Sequence, residues 1–169
     1  EAPVANVSFQ PDAVRPITAV ADHRISKIYK KVLKDGRKIQ SDTRAEALHD
    51  LRKDCKKLRY LMEFFQCLYR PKAIRALIRE LKQLQENLGD YQDLDVQIGS
   101  LEHYAEEMEQ RGVYDAATAK SMQALLATLH TQMDDVRAHF HERFERFSRK
   151  ETRRLFRALF RPEPEFERK

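Results

Sequence analysis

Apolar residues recur every three or four positions from Thr18 onward, and no stretch alternates with a period of two. The first run puts Ile25, Ile28, Tyr29, Val32, Gly36 and Ile39 on one face. Arg24, Lys27, Lys30, Lys31, Lys34 and Lys38 crowd the other. Thr43 followed by Glu46 has the form of a capping box, with Ser41 or Asp42 as alternative caps, and predicts a second helix running to about Tyr69. Pro71 ends it, because the residue before a proline is pushed out of the helical region. A third helix is expected from about Lys72 to Leu88, with Ile74, Leu77, Ile78, Leu81, Leu84 and Leu88 as its apolar stripe. Gly89 is expected as its left-handed C′ residue, and Asp90 as the cap of a fourth helix over about 91–110. Gly112 breaks that helix. A long fifth helix from about Asp115 carries Leu125, Leu129, Met133, Val136, Phe140, Phe144 and Phe147, and either continues to Phe160 or restarts near Lys150.

The pattern therefore predicts an all-α fold: an antiparallel bundle of four to six helices with a long C-terminal helix. Residues 1–17, Pro-rich and aperiodic, read as an arm or linker; 18–161 form the bundle; 162–169, rich in Pro and charge, read as a frayed tail. The length of 169 residues suits one helical domain with a core. Four glycines and six prolines, most of the prolines near the ends, leave room for long uninterrupted helices.

Composition sharpens the reading only in one respect. The net charge is +5 with 35% charged residues of both signs, so the placement of the cations matters more than their excess. Cys55 and Cys67 are three helical turns apart and read as reduced thiols. No charged leader with an apolar run and no window of 18 apolar residues is present, which argues against a signal peptide or membrane span and for a cytoplasmic location. The opening Glu suggests a segment of a longer protein.

The cations concentrate in "HDLRKDCKKLRY", residues 49–60. With His49 at 0° and 100° per residue, Arg52, Lys53, Lys56, Lys57, Arg59 and Tyr60 fall within about 80° of it on either side. Leu48, Leu51, Cys55, Leu58, Leu61, Met62 and Phe65 occupy the opposite face. A solvated face usually mixes signs at i,i+4 spacing; this strip is nearly all one sign and repels itself. Asp50 and Asp54 sit on its flank, and Glu46 is the one acid in line with it. The third helix repeats the choice with Lys72, Arg75, Arg79 and Lys82, and the first with its lysine row. Packed as neighbours, these rows would form a basic groove for a polyanion. Base-reading sites interleave amides and aromatics among the cations. Only Tyr60 does so here, which favours phosphates without bases.

Two stretches, "LHDLRKDCKKLRYLMEFF" and "LKQLQENLGDYQDLDV", closely resemble the conserved histidine α-helical domain, the CHAD family. Its hallmark is similar to H-x-x-R-x-x-x-K-x-x-R-Y followed by Q-x-x-L-G-x-x-x-D. The matching residues are His49, Arg52, Lys56, Arg59 and Tyr60, then Gln85, Leu88, Gly89 and Asp93. The resemblance covers residues 24–110 well and the long C-terminal helix loosely. It implies a non-catalytic module of bacteria and archaea that binds inorganic polyphosphate and can associate with polyphosphate granules. Carried over, His49, Arg52, Lys56 and Arg59 face the polyphosphate. Lys53 and Lys57 share the strip, Arg75, Arg79 and Lys82 line the neighbouring helix, and Lys27, Lys31 and Lys34 supply the first. The family usually has two helical repeats with one histidine motif each. This chain has one, resembling the second, so a first repeat or a second copy of the chain is expected to complete the groove.

Rival chemistries fit less well. A phosphotransfer histidine sits in "HxLKG", whereas "HDLRK" lacks the glycine. A metal-dependent hydrolase needs clustered carboxylates, and the strips offer only Glu46 and Glu86. No second His or Cys stands within a turn of His49, and His139 and His141 point to different sides of their helix, so neither a metal site nor a cofactor is expected. Nonspecific nucleic-acid binding is the alternative function.

Overall fold

The computed structural model describes residues 16–161. The chain runs as α1 (Ile17–Gly36), α2 (Ala45–Phe64), a 3₁₀ turn (Gln66–Leu68), α3 (Pro71–Gln110), α4 (Ala116–Ser148) and α5 (Lys150–Leu159). Among the described residues there is no strand, so the all-α bundle expected from the periodicity is the observed fold. Of the expected arm, Pro16 and Ile17 belong to the start of α1; the rest of the arm and the tail lie outside the described residues.

Cross-helix pairs fix the directions. Lys31 meets Asp54 and Asp22 meets Tyr69, so α1 and α2 are antiparallel. His49 meets Gln92 while Glu63 meets Lys82, so α2 and α3 are antiparallel. Asn87 meets Val136 and Gln83 meets Arg143, which makes α3 and α4 antiparallel too. The apolar stripes converge in one core. Ile25, Leu48, Leu51, Leu58, Met62, Ile74, Leu77, Leu81, Leu84, Phe140, Phe147 and Phe160 are almost wholly excluded from solvent. Each such side chain contributes about 1.5–3 kcal/mol by leaving water. α1 comes close to α4 because Gly36 has no side chain: a Cβ there would stand 2.0 Å from the Phe144 ring. Tyr29 stacks on Phe156 of α5 with centroids 3.6 Å apart and meets the edge of Phe147.

Four local expectations change. Gly89 does not end a helix: α3 runs 40 residues through it, and the one glycine with positive φ among the described residues is Gly112 (67°). Leu84, Leu88 and Tyr91 are all buried, so the core-facing period continues across the glycine and outweighs its cost of about 1 kcal/mol against alanine. Asp90 is exposed mid-helix and caps nothing. Thr43 does not cap α2. Its Oγ1 accepts from the Gln40 amide at 2.7 Å, closing the turn before the helix, and Arg44 takes the cap position. α2 ends at Phe64 rather than Tyr69, and Tyr69 is extended with its hydroxyl donating to Asp22 Oδ1 at 2.7 Å. Asp115 does cap α4, accepting from the Thr118 amide at 2.7 Å. The restart near Lys150 is real: Arg149 is extended, and Thr152 Oγ1 donates back to the Arg146 carbonyl across the break.

Beyond Tyr91 and Met133, α3 and α4 leave the core as a two-helix hairpin. Ile98 and Leu129 are buried there, but Val96, Tyr104 and Leu125 are exposed, so Leu125 is not the core residue its spacing suggested.

Candidate polyanion-binding face

α2 lies between α1 and α3 and turns its basic side outward. The strip is not uniform. Its α3-facing edge is engaged: His49 Nδ1 is hydrogen-bonded to Gln92 Oε1, and both residues are half-buried. Arg52, also half-buried, lies over Gly89, where an added Cβ would be 3.9 Å from Nε. Arg59 pairs with Glu63 (3.7 Å), and Glu63 in turn pairs with Lys82 (3.4 Å). The family motif on α2 and the Gln-Leu-Gly motif on α3 are thus two sides of one helix–helix seam.

The centre of the strip is open. Lys53, Lys56 and Lys57 are exposed and, with Tyr60, Leu61 and Phe64, line a shallow concavity of about 520 Å³. Lys56 Nζ and the Arg59 guanidinium stand 5.7 and 5.2 Å from the Tyr60 ring centroid, so the ring is held between cations. Phe64 is 77% exposed. Lys53 donates to Asp50 at 2.9 Å, and that hydrogen bond holds the Asp50 carboxyl below the ordinary aspartate range. Among the described residues Lys56 and Lys57 meet no carboxylate.

The flanking rows arrive in part. Lys31 reaches the shoulder of α2, where its hydrogen bond to Asp54, with Asp35 also beside it, raises the ammonium pKa. Lys27 and Lys34 follow on the same side of α1 without a carboxylate partner among the described residues. On α3, Lys82 turns to α2 through Glu63, and Arg75 is exposed about two turns earlier on nearly the same line of the helix. Arg79 diverges. It lines a separate concavity with Glu80, Arg149, Glu151 and Thr152 against the start of α5. The reason is angular: three residues from Lys82 amount to 300°, which carries Arg79 about 60° off the α2-facing line.

Three contributors escaped the sequence reading. Gln92 orients His49, Glu63 bridges Arg59 to Lys82, and Phe64 widens the apolar floor beside Tyr60. Glu63 had a signal, standing four residues after Arg59 on the same helix; Gln92 needed the α2–α3 register. Among the described residues no three of His, Cys, Asp and Glu gather as metal ligands, and no helix is long and apolar enough to cross a membrane.

The described residues thus form a helical bundle with a histidine–arginine–lysine seam and an outward lysine cluster. The CHAD domain family model matches residues 2–102, more than half of the chain and all of the α2–α3 seam, and the protein belongs to that family. The family is associated in general with polyphosphate binding and consists of binding modules. No curated protein matches the chain.

Proposed function

We propose that this chain binds inorganic polyphosphate, without cleaving it, on the outer face of α2. The observation that carries this reading is the pair Lys56 and Lys57, exposed, of one sign, and without a carboxylate partner among the described residues, beside the seam where Glu63 pairs with both Arg59 and Lys82. Polyphosphate oxygens would take charge-assisted hydrogen bonds from Lys53, Lys56 and Lys57, then from His49, Arg52 and Arg59 at the seam. Lys27, Lys31 and Lys34 extend the field on one side and Arg75 and Lys82 on the other, whereas Arg79 stands aside. His49 acts through its free ring nitrogen, since Nδ1 is taken by Gln92. A role at polyphosphate granules in a prokaryotic cytoplasm follows from the family reading. The exposed Tyr60 and Phe64, with the half-buried Leu61 between them, suit contact with a complementary helical repeat or a second copy of the chain, which would close the face into a groove.

The test is titration with long-chain polyphosphate at two salt concentrations, with Lys56→Glu/Lys57→Glu as the variant. Binding should be steeply salt-dependent, by analogy with phosphate contacts in DNA. The variant should lose most of it while its melting curve stays put. Unchanged affinity in that variant would remove the α2 face from consideration. Tyr60 and Phe64 beside lysines also resemble a stacking platform for single-stranded nucleic acid. Equal competition by single-stranded RNA of matched charge would favour that second reading over polyphosphate.

A further inference from the structure

A second concavity lies away from the α2 face, between α1 and α5. Ser26, Tyr29, Lys30, Leu33, Arg153, Phe156, Arg157 and Phe160 line about 150 Å³. Three of these eight are cations and none is an acid. Lys30, Arg153 and Arg157 have no carboxylate partner among the described residues. Two buried polar atoms of the lining also stand without a hydrogen-bond partner among the described residues: the Tyr29 hydroxyl and Arg153 Nε. Tyr29 itself is only 6% exposed. Leaving such groups unpaired costs free energy, so their persistence here needs a reason. Burial pushes the Tyr29 hydroxyl well above the ordinary tyrosine range, with Arg153, Arg157 and Arg37 opposing it, so the group is a donor at any physiological pH.

The polar groups share this small space with an apolar wall formed by Leu33, Phe156 and Phe160. The combination is specific. An extended polyphosphate would press charged phosphates against Phe156 and Phe160. A purely apolar ligand would leave the Tyr29 hydroxyl and Arg153 Nε unpaired. We propose that the α1–α5 concavity is a binding site for a small phosphate monoester. The phosphoryl group meets the Tyr29 hydroxyl, Arg153, Arg157 and Lys30, and the apolar ester group lies on Phe156 and Phe160. Three cations and a phenol donor match a dianion better than a monoanionic carboxylate. The site stands independently of polyphosphate binding on α2, because Lys30 is the only α1 lysine in it and none of its lining comes from α2.

The experiment is a titration of the full chain with phenyl phosphate, followed by NMR, with phenol and inorganic phosphate as the two half-ligands. Saturable shifts at Ser26, Leu33, Phe156 and Phe160 are expected, with either half-ligand binding more weakly. Tyr29→Phe removes one hydroxyl and should weaken phenyl phosphate by about tenfold, the worth of one charge-assisted hydrogen bond, without lowering the melting temperature. Arg153→Gln/Arg157→Gln should abolish binding, and Lys56→Glu/Lys57→Glu should leave it intact. Absence of saturable shifts would overturn the proposal. So would affinity unchanged in both Tyr29→Phe and the arginine double variant, or loss of binding in the α2 variant alone.

Discussion

His49 Nδ1 and Gln92 Oε1 are hydrogen-bonded across the α2–α3 seam, 43 residues apart in the chain. The histidine at the middle of the basic strip is therefore also an interhelical tie. Its removal should act on stability as well as on binding. His49→Ala and Gln92→Ala should each cost about 1 kcal/mol in urea unfolding. The double variant should cost less than their sum, because the two share one bond. Strict additivity would show that the pair does not interact in solution.

The four glycines are not equivalent, and alanine substitution separates them. Gly89→Ala should stabilise by about 0.5–1 kcal/mol, since the site is mid-helix and the nearest foreign atom to a new Cβ, Arg52 Nε, is in ordinary contact at 3.9 Å. Gly36→Ala should destabilise by about 1–3 kcal/mol, because the methyl would collide with the Phe144 ring. Thermal melts of the two variants shifting in opposite directions are the expected result. A destabilised Gly89→Ala would mean that α3 bends at that residue.

Arg137 of α4 holds the loop between α1 and α2. Its guanidinium donates to the Ser41 carbonyl, to the Thr43 carbonyl at 2.8 Å and to the Tyr91 hydroxyl at 2.7 Å. Arg137→Ala should cost about 2–3 kcal/mol, with Arg137→Lys recovering only part, since one ammonium cannot span the same fork. Hydrogen exchange should rise first in residues 38–44. Protection unchanged there would assign the loop's order to other contacts.

The two thiols should differ sharply in reactivity. Cys67 is exposed, whereas burial pushes the Cys55 thiol up to about 12. At pH 8 a disulfide reagent should modify Cys67 rapidly and Cys55 only on unfolding. The sign follows from linkage. The folded value lies above the reference value of 9.0, so the Cys55 contribution to stability is complete below pH 9 and is lost as pH rises towards 12. Rapid modification of both thiols in the native protein would contradict the packing of α2.

The sequence by itself determined the helical class, the opposed apolar and basic faces of α1 and α2, and the start of the long helix near Asp115, while leaving open whether that helix continued to Phe160 or restarted near Lys150. These depend on period and local hydrogen bonding, which are properties of adjacent residues. The family motif was legible for the same reason, as a fixed spacing of side chains along single helices. Only the tertiary structure decided that Gly89 stays helical, because burial of Leu88 and Tyr91 against other helices outweighs a local tendency to stop. Only it could split the basic strip into an engaged edge and an open centre, since His49 meets Gln92 of α3, Arg52 lies over Gly89 and Arg59 shares Glu63 with Lys82. The same holds for Arg79, which shares a sequence spacing with the strip yet lies beside α5. It holds as well for Tyr29 and Arg153, which come together from the first and last helices of the chain. Helical spacing sets the face on which a side chain lies, and interhelical register decides what that face meets.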